Sequence, residues 1–247
     1  MRAGGIGALI AATAVATLIL AGETRAGSSC FGHAPTIVRG SGNDTIHGTA
    51  GSDVIVAGGG NDTVAAGNGV DYVCGGGGDD TIDTGNGDDF LNGGSGRDEL
   101  HGYNGGDKII GGDGRDFLDG RRGEVGDVLE GGSGGDRMLG GEKANGGPGN
   151  DRINGTGYVN DSHRDVIEGG PGRDEIAGDD SGRGRDLIRG GSDADHLRGL
   201  SGKDRIFGDA GNDDLAGGPG NDTLDGGSDV DTCDQGPGTG SLVRCER

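Results

Sequence analysis

A tandem-repeat fold, and not the layered α/β domain of an ordinary enzyme, is what the sequence predicts, on three observations. Of the 247 residues 64 are glycine, and with five prolines the two types make up about 28% of the chain, a level that marks disorder unless it is periodic. Hydrophobic residues reach only 29%, with no tryptophan, against the roughly 45–50% apolar usage of a globular domain. Thirdly, the glycine is periodic. From Arg39 to Asp119 the chain reads in nines as RGSGNDTIH, GTAGSDVIV, AGGGNDTVA, AGNGVDYVC, GGGGDDTID, TGNGDDFLN, GGSGRDELH, GYNGGDKII and GGDGRDFLD.

In this block position 4 is always Gly, position 6 Asp, and position 8 Ile, Val or Leu. The frame returns from Gly190 to Asp234 as GGSDADHLR, GLSGKDRIF, GDAGNDDLA, GGPGNDTLD and GGSDVDTCD. Marking each repeat by its position-6 Asp gives twenty, from Asp44 to Asp231, each followed two residues later by an apolar side chain. Collagen is excluded, because the period is nine and not three. The acids are equally biased. Asp plus Glu number 42 against 21 Lys plus Arg, a net charge of −21, and Asp outnumbers Glu 34 to 8. Such a surface repels nucleic acid and anionic lipid, and short carboxylates in turns attract cations.

The GGxGxDxUx array resembles the RTX, or haemolysin-type, calcium-binding repeat proteins, and the resemblance spans residues 39–234. It implies an all-β fold: a parallel β-roll, or right-handed β-solenoid, of about twenty nonapeptide repeats, two per coil. The residues make physical sense of that roll. Positions 7–9 form a short strand with its middle side chain inward, and positions 1–6 form a turn whose glycines supply positive φ. Repeat n then lies over repeat n+2 about 4.8 Å away, which stacks the position-6 carboxylates. One small apolar side chain per nine residues cannot offset the entropy of ordering them, so the fold is expected to depend on metal.

Calcium fits best by chemistry, since it takes six to eight oxygens from carboxylates and carbonyls, whereas zinc wants the Cys and His that the turns lack. The residues matching the family's acidic turn position are Asp44, Asp53, Asp62, Asp71, Asp80, Asp89, Asp98, Asp107 and Asp116 in the first regular block. In the second they are Asp186, Asp195, Asp204, Asp213, Asp222 and Asp231. Their seven and four stacked pairs imply roughly ten Ca2+ ions. Asp193 and Asp229 replace Gly at position 4, which puts occupancy of those two turns in question. Arg97, Arg115, Arg173 and Arg185 at position 5 are expected to sit outward in solvent or to pair with nearby Asp.

Between Asp116 and Asp186 the markers are spaced 11, 9, 15, 14, 9 and 12. The irregular middle, residues 120–185, therefore either loops out of a continuous roll, breaks it in two, or forms a ligand-binding bulge. Residues 1–26 read as a secretory signal: Arg2, an apolar run Ala8–Ala21, and a small-x-small site at Thr24-Arg25-Ala26. An uncleaved anchor is the alternative. Four cysteines suit an oxidising destination and allow three connectivities; on an elongated roll only Cys30–Cys74 and Cys233–Cys245 lie within reach. Residues 27–38 and 235–247 are expected to cap the two ends.

Catalytic signals are slight. Gly131-Gly132-Ser133-Gly134-Gly135 matches a nucleophile elbow only as the start of a repeat turn, and the five histidines have no HExxH spacing. The sequence thus reads as a secreted or envelope-associated, calcium-binding, non-enzymatic protein with a structural or adhesive role. A calcium-dependent module for polysaccharide or an envelope protein is the alternative, followed by an accessory to a secreted hydrolase. No nucleic-acid partner and no membrane insertion after signal cleavage are expected.

Overall fold

A computed structural model describes residues 29–120, 126–155, 164–179 and 184–246. The expected signal segment 1–26 and the inserted residues 121–125, 156–163 and 180–183 lie outside them. The described residues form 23 strands and no helix, in two wholly parallel sheets, a β-solenoid of about eleven turns. Strands alternate between the sheets along the chain. The twelve-stranded sheet runs from Ile37–Val38 to Ser241–Val243, and the eleven-stranded sheet from Thr45–His47 to Thr232–Asp234. The roll expected from the repeats is therefore what the chain adopts, and it is continuous through the irregular middle.

Register follows the nine-residue frame. Position-8 side chains stack into one inward row per sheet: Ile55, Val73, Leu91 and Ile109 in one, Ile46, Val64, Ile82 and Leu100 in the other. These rows fill the space between the sheets, and nearly every member is fully buried. Position 2 shows why glycine is favoured in such a stack, although Tyr103, Leu200 and Asp209 also stand there, with φ +66°, +66° and +72°. Gly112 has φ +115°, and a Cβ there would lie 2.0 Å from the carbonyl oxygen of Gly94 on the preceding coil. Gly112→Ala is expected to destabilise the loaded protein by about 2–6 kcal/mol, combining backbone strain of ~1–3 with overpacking of ~1–3. A denaturant midpoint equal to that of the parent would contradict this.

The middle holds a repeat that lacks both the position-6 Asp and the position-4 Gly. Strand Lys143–Asn145 lies between Val128–Ser133 and Val166–Pro171 with Ala144 in the inward row. Each strand's first N–H donates to the position-6 carbonyl of the preceding coil, and here Val166 donates to Glu142 as Leu187 does to Asp165. Glu142 thus stands where the marker Asp would be. The 15-residue interval from Asp136 to Asp151 divides into six plus nine, and residues 140–145 are a repeat shortened by three.

With that repeat counted, the irregularities separate cleanly. Turns leading from the twelve- to the eleven-stranded sheet keep nine-residue spacing throughout: Asp107 to Asp116, Asp127 to Asp136, Glu142 to Asp151, Asp165 to Asp174 and Asp186 to Asp195. Every insertion and the shortened repeat fall on turns leading back. The roll has one regular edge and one variable edge.

Two disulfides tie the ends, Cys30–Cys74 and Cys233–Cys245, each with Cα atoms 5.7 Å apart. Ahead of Ile37–Val38, the first strand of its sheet, Phe31 and His33 lie against the outer face. Their rings meet Tyr72 and Phe90, with Phe31 5.7 Å from Phe90 and Tyr72 stacked on Phe90 at 4.8 Å.

Candidate metal-binding ladders

Along each edge the position-6 aspartates form a hydrogen-bonded column. The backbone N–H of Asp44 donates to Oδ1 of Asp62 at 2.8 Å, that of Asp62 to Asp80, and that of Asp80 to Asp98. On the regular edge this column is unbroken through Asp116, Asp136, Asp151, Asp174, Asp195, Asp213 and Asp231. On the variable edge it runs Asp53, Asp71, Asp89, Asp107, Asp127 and again Asp165, Asp186, Asp204, Asp222, with Glu142 between. A short acid suits this place, because its side chain stays within its own turn while accepting from the backbone of the preceding coil.

The second carboxylate oxygen has no such role. Oδ2 is buried without a hydrogen-bond partner in fifteen of these residues, including Asp62, Asp80, Asp98, Asp151 and Asp231. In most of these turns it borders a cradle kept open by a position-1 glycine, while the turns of Asp62, Asp71 and Asp89 carry Ala57, Ala66 and Thr84 there. A Cβ on Gly93 would lie 2.2 Å from Oδ2 of Asp98 and 2.7 Å from the carbonyl oxygen of Gly111 on the next coil; at Gly146 the same figures describe Asp151 and Gly169. Each cradle therefore joins one carboxylate oxygen and one carbonyl oxygen from successive coils.

Burial makes these carboxylates hard to ionise. Desolvation pushes Asp98, Asp127, Asp195 and Asp204 up to about 7 from the usual 3.8. Asp80, Asp89, Asp107, Asp116, Asp136, Asp151 and Asp174 rise to about 6 for the same reason. The hydrogen bond from the neighbouring backbone opposes this shift, and nearby carboxylates add to it. A buried charge of this kind calls for a cation. The donor set is all oxygen, which suits a hard divalent ion of calcium's type. Among the described residues no three His, Cys, Asp or Glu side chains converge on one point. Metal binding here thus draws on carbonyls and single carboxylates, not on a carboxylate cluster.

This geometry decides the comparison with known families. The profile of the RTX calcium-binding nonapeptide repeat matches residues 39–73, 75–100, 92–124, 126–142, 140–157, 160–181, 180–215 and 207–242. The chain belongs to this family. It is a calcium-binding repeat protein. No curated protein matches the chain.

The aspartates expected from the two regular blocks are not the whole of these columns. The structure adds Asp127, Asp136, Asp151, Asp165 and Asp174 to the same columns, because insertions on one edge leave the stacking of both intact. Asp193 and Asp229 do not distort their turns. Both take φ +79°, a left-handed conformation that Asp tolerates better than most residues, and Oδ2 of Asp195 and Asp231 remains buried and unpartnered beside them. Arg97, Arg115, Arg173 and Arg185 all point into solvent. Ser133 donates its hydroxyl to Asp113 on the preceding coil at 2.7 Å, the exposed contact of a turn residue.

A second column went unread in the sequence. At position 5, the N–H of Asn61 donates to the side-chain oxygen of Asn43, that of Asp79 to Asn61, and that of Arg97 to Asp79. Arg173 donates to Asn150, and Val230 to Asn212. These bonds run in the opposite sense to those of the Asp column. They account for the repeated Asn-Asp pairs, with Asn serving the stack and Asp the cradle.

Proposed function

We propose that the chain is a secreted protein whose roll orders on taking up calcium outside the cell and then serves as a structural or adhesive element. The observation that carries this is the column of buried carboxylates, each with one oxygen committed to the backbone and the other facing a carbonyl without a partner. The ligands would be the position-6 aspartates from Asp44 to Asp116 and Asp186 to Asp231, joined by Asp127, Asp136, Asp151, Asp165 and Asp174. Roughly ten ions would be held. When bound, calcium supplies the positive charge that these buried groups lack and links successive coils. The chain's own part is to hold each carboxylate in its turn and keep the cradle free of side chains.

Export is supported by the two disulfides, which persist in oxidising compartments, and by the signal-like composition of residues 1–26. A structural role accords with a roll whose side chains serve stacking, with no histidine or serine arranged for group transfer among the described residues. A second reading, a calcium-dependent polysaccharide-binding module, is favoured by a groove on the regular edge described below.

Far-UV circular dichroism of residues 27–247, disulfides intact, tests the proposal by titration with calcium and then with chelator. A coil spectrum converting to sheet at sub-millimolar to millimolar calcium, and reverting on chelation, is the expected result. A sheet spectrum indifferent to calcium would defeat it.

A further inference from the structure

On the regular edge, where the turns enter the eleven-stranded sheet, four successive coils each contribute one arginine to a groove of about 510 Å³. Arg115 and Arg173 stand at position 5 of the outer two coils. Arg137 and Arg152 stand at position 7 of the inner two, and there position 5 is occupied by Gly135 and Asn150, which opens the space between the flanking arginines. Coils about 4.8 Å apart spread the four guanidinium groups over some 14 Å of the roll axis. The chain as a whole carries −21.

The inner arginines are held in place. Arg137 lies over the ring of Phe117, 5.2 Å from its centre, and Arg152 donates through both Nε, at 2.9 Å, and Nη2 to Glu175, which lines the same groove. His196 at the far end is occupied by Asp214, 2.9 Å away. Among the described residues no carboxylate pairs with the guanidinium of Arg115 or Arg173. Both also sit where the stack would be better served by another residue. Asn43, Asn61, Asn150, Asn212 and Asn221 at position 5 accept an N–H from the next coil; arginine has no acceptor to offer. Their presence costs the fold a hydrogen bond and leaves two free guanidinium forks facing one groove.

We infer that this groove binds an acidic polysaccharide, a linear chain bearing carboxylates that the arginines engage in turn. Guanidinium matches carboxylate through two parallel hydrogen bonds. A ligand that reaches all four groups must spread its negative charge along the roll axis, which a single small anion cannot do. Nucleic acid is disfavoured by the overall charge, and the one aromatic ring beneath the groove, Phe117, is already covered by Arg137. The inference deepens the second reading above and rests on it. It uses the folded roll in its loaded state, in which the aspartates beneath the groove no longer oppose an anion.

The test titrates the calcium-loaded protein with a galacturonate tetramer by calorimetry, with the neutral methyl-ester tetramer and inorganic sulfate as comparison probes. The tetramer is expected to bind in low salt, more weakly as salt rises, and the ester not at all. Arg115→Asn with Arg173→Asn restores the residue that the repeat favours at position 5, so this variant should fold at least as well while losing tenfold or more in affinity. Arg115→Asn alone should weaken binding in part, whereas Arg205→Thr, which removes the same single charge from the outer face of the other sheet, should match the parent. The inference is overturned if the tetramer does not bind in low salt or the double variant binds it undiminished. It is overturned equally if Arg205→Thr weakens binding as much as Arg115→Asn, or if sulfate binds as tightly as the tetramer. Circular dichroism of the same samples with and without calcium separates the two readings, since a sheet signal indifferent to calcium defeats calcium-driven folding alone.

Discussion

The calcium-free protein is expected to become more stable as pH falls from 8 to 5, the reverse of ordinary acid denaturation. The sign follows from the columns of buried aspartates. In the unfolded chain they titrate near 3.8, and in the roll burial raises eleven of them to about 6 or 7. The folded state therefore binds protons more tightly than the unfolded one, and stability falls with rising pH wherever that is so. Their contribution is fully present below about pH 4 and is lost as pH rises through 6–7. Near neutral pH the roll must hold buried negative charges, and without a cation the columns oppose folding. The far-UV sheet signal of chelated protein, followed from pH 8 to 5, checks this; the signal is expected to grow with acidification, and one that stays flat or falls would refute it. Calcium loading near pH 6 should also release protons, as binding to a protonated ligand requires.

Substitutions at Asp98, in the middle of the regular column, are expected to act with opposite signs. Asp98→Ala removes the acceptor of the Asp80 N–H and leaves that group buried and unsatisfied, which costs about 1–3 kcal/mol with or without calcium. Asp98→Asn keeps an oxygen for that bond and places an amide where Oδ2 lay, toward the carbonyl of Gly111. It also removes a carboxyl that desolvation drives up to about 7. On acidification in chelator the Asn variant should thus gain its sheet signal at a higher pH than the parent, yet in calcium it should bind at least one ion fewer. Equal shifts of both variants in the chelated state would show that the charge of Asp98 does not strain the roll. An undiminished calcium stoichiometry in the Asn variant would remove Asp98 from the ligands.

These effects depend on features of unequal legibility. The roll could be read because its constraints recur: a buried position 8 from Ile46 to Leu224, glycine where a coil passes within van der Waals contact of the last, and Asp at position 6. The shortened repeat at 140–145 could not, since it keeps neither the Asp nor the position-4 Gly. Its only traces are Ala144 two places after Glu142 and an interval of 15 that divides as six plus nine. The division of labour between the two oxygens of each Asp was also out of reach. It arises from how one coil sits on the next, and a linear pattern records which residue is present but not which of its atoms is left over. The four arginines of the groove are scattered over positions 115–173 and become neighbours only through coils of unequal length.

The separation of a regular edge from a variable one has a practical meaning. The regular edge acts as the spine of the molecule, like the binding of a book whose pages are cut to different widths. A single residue added there would shift a strand by one and turn its inward side chain to the outside. On the opposite side the chain already accepts two, three and five additional residues and one loss of three, with both inward rows intact. That side is a ready place to graft foreign peptides, and the insertion 156–163, between the repeats marked by Asp151 and Asp165, is the natural first position to try.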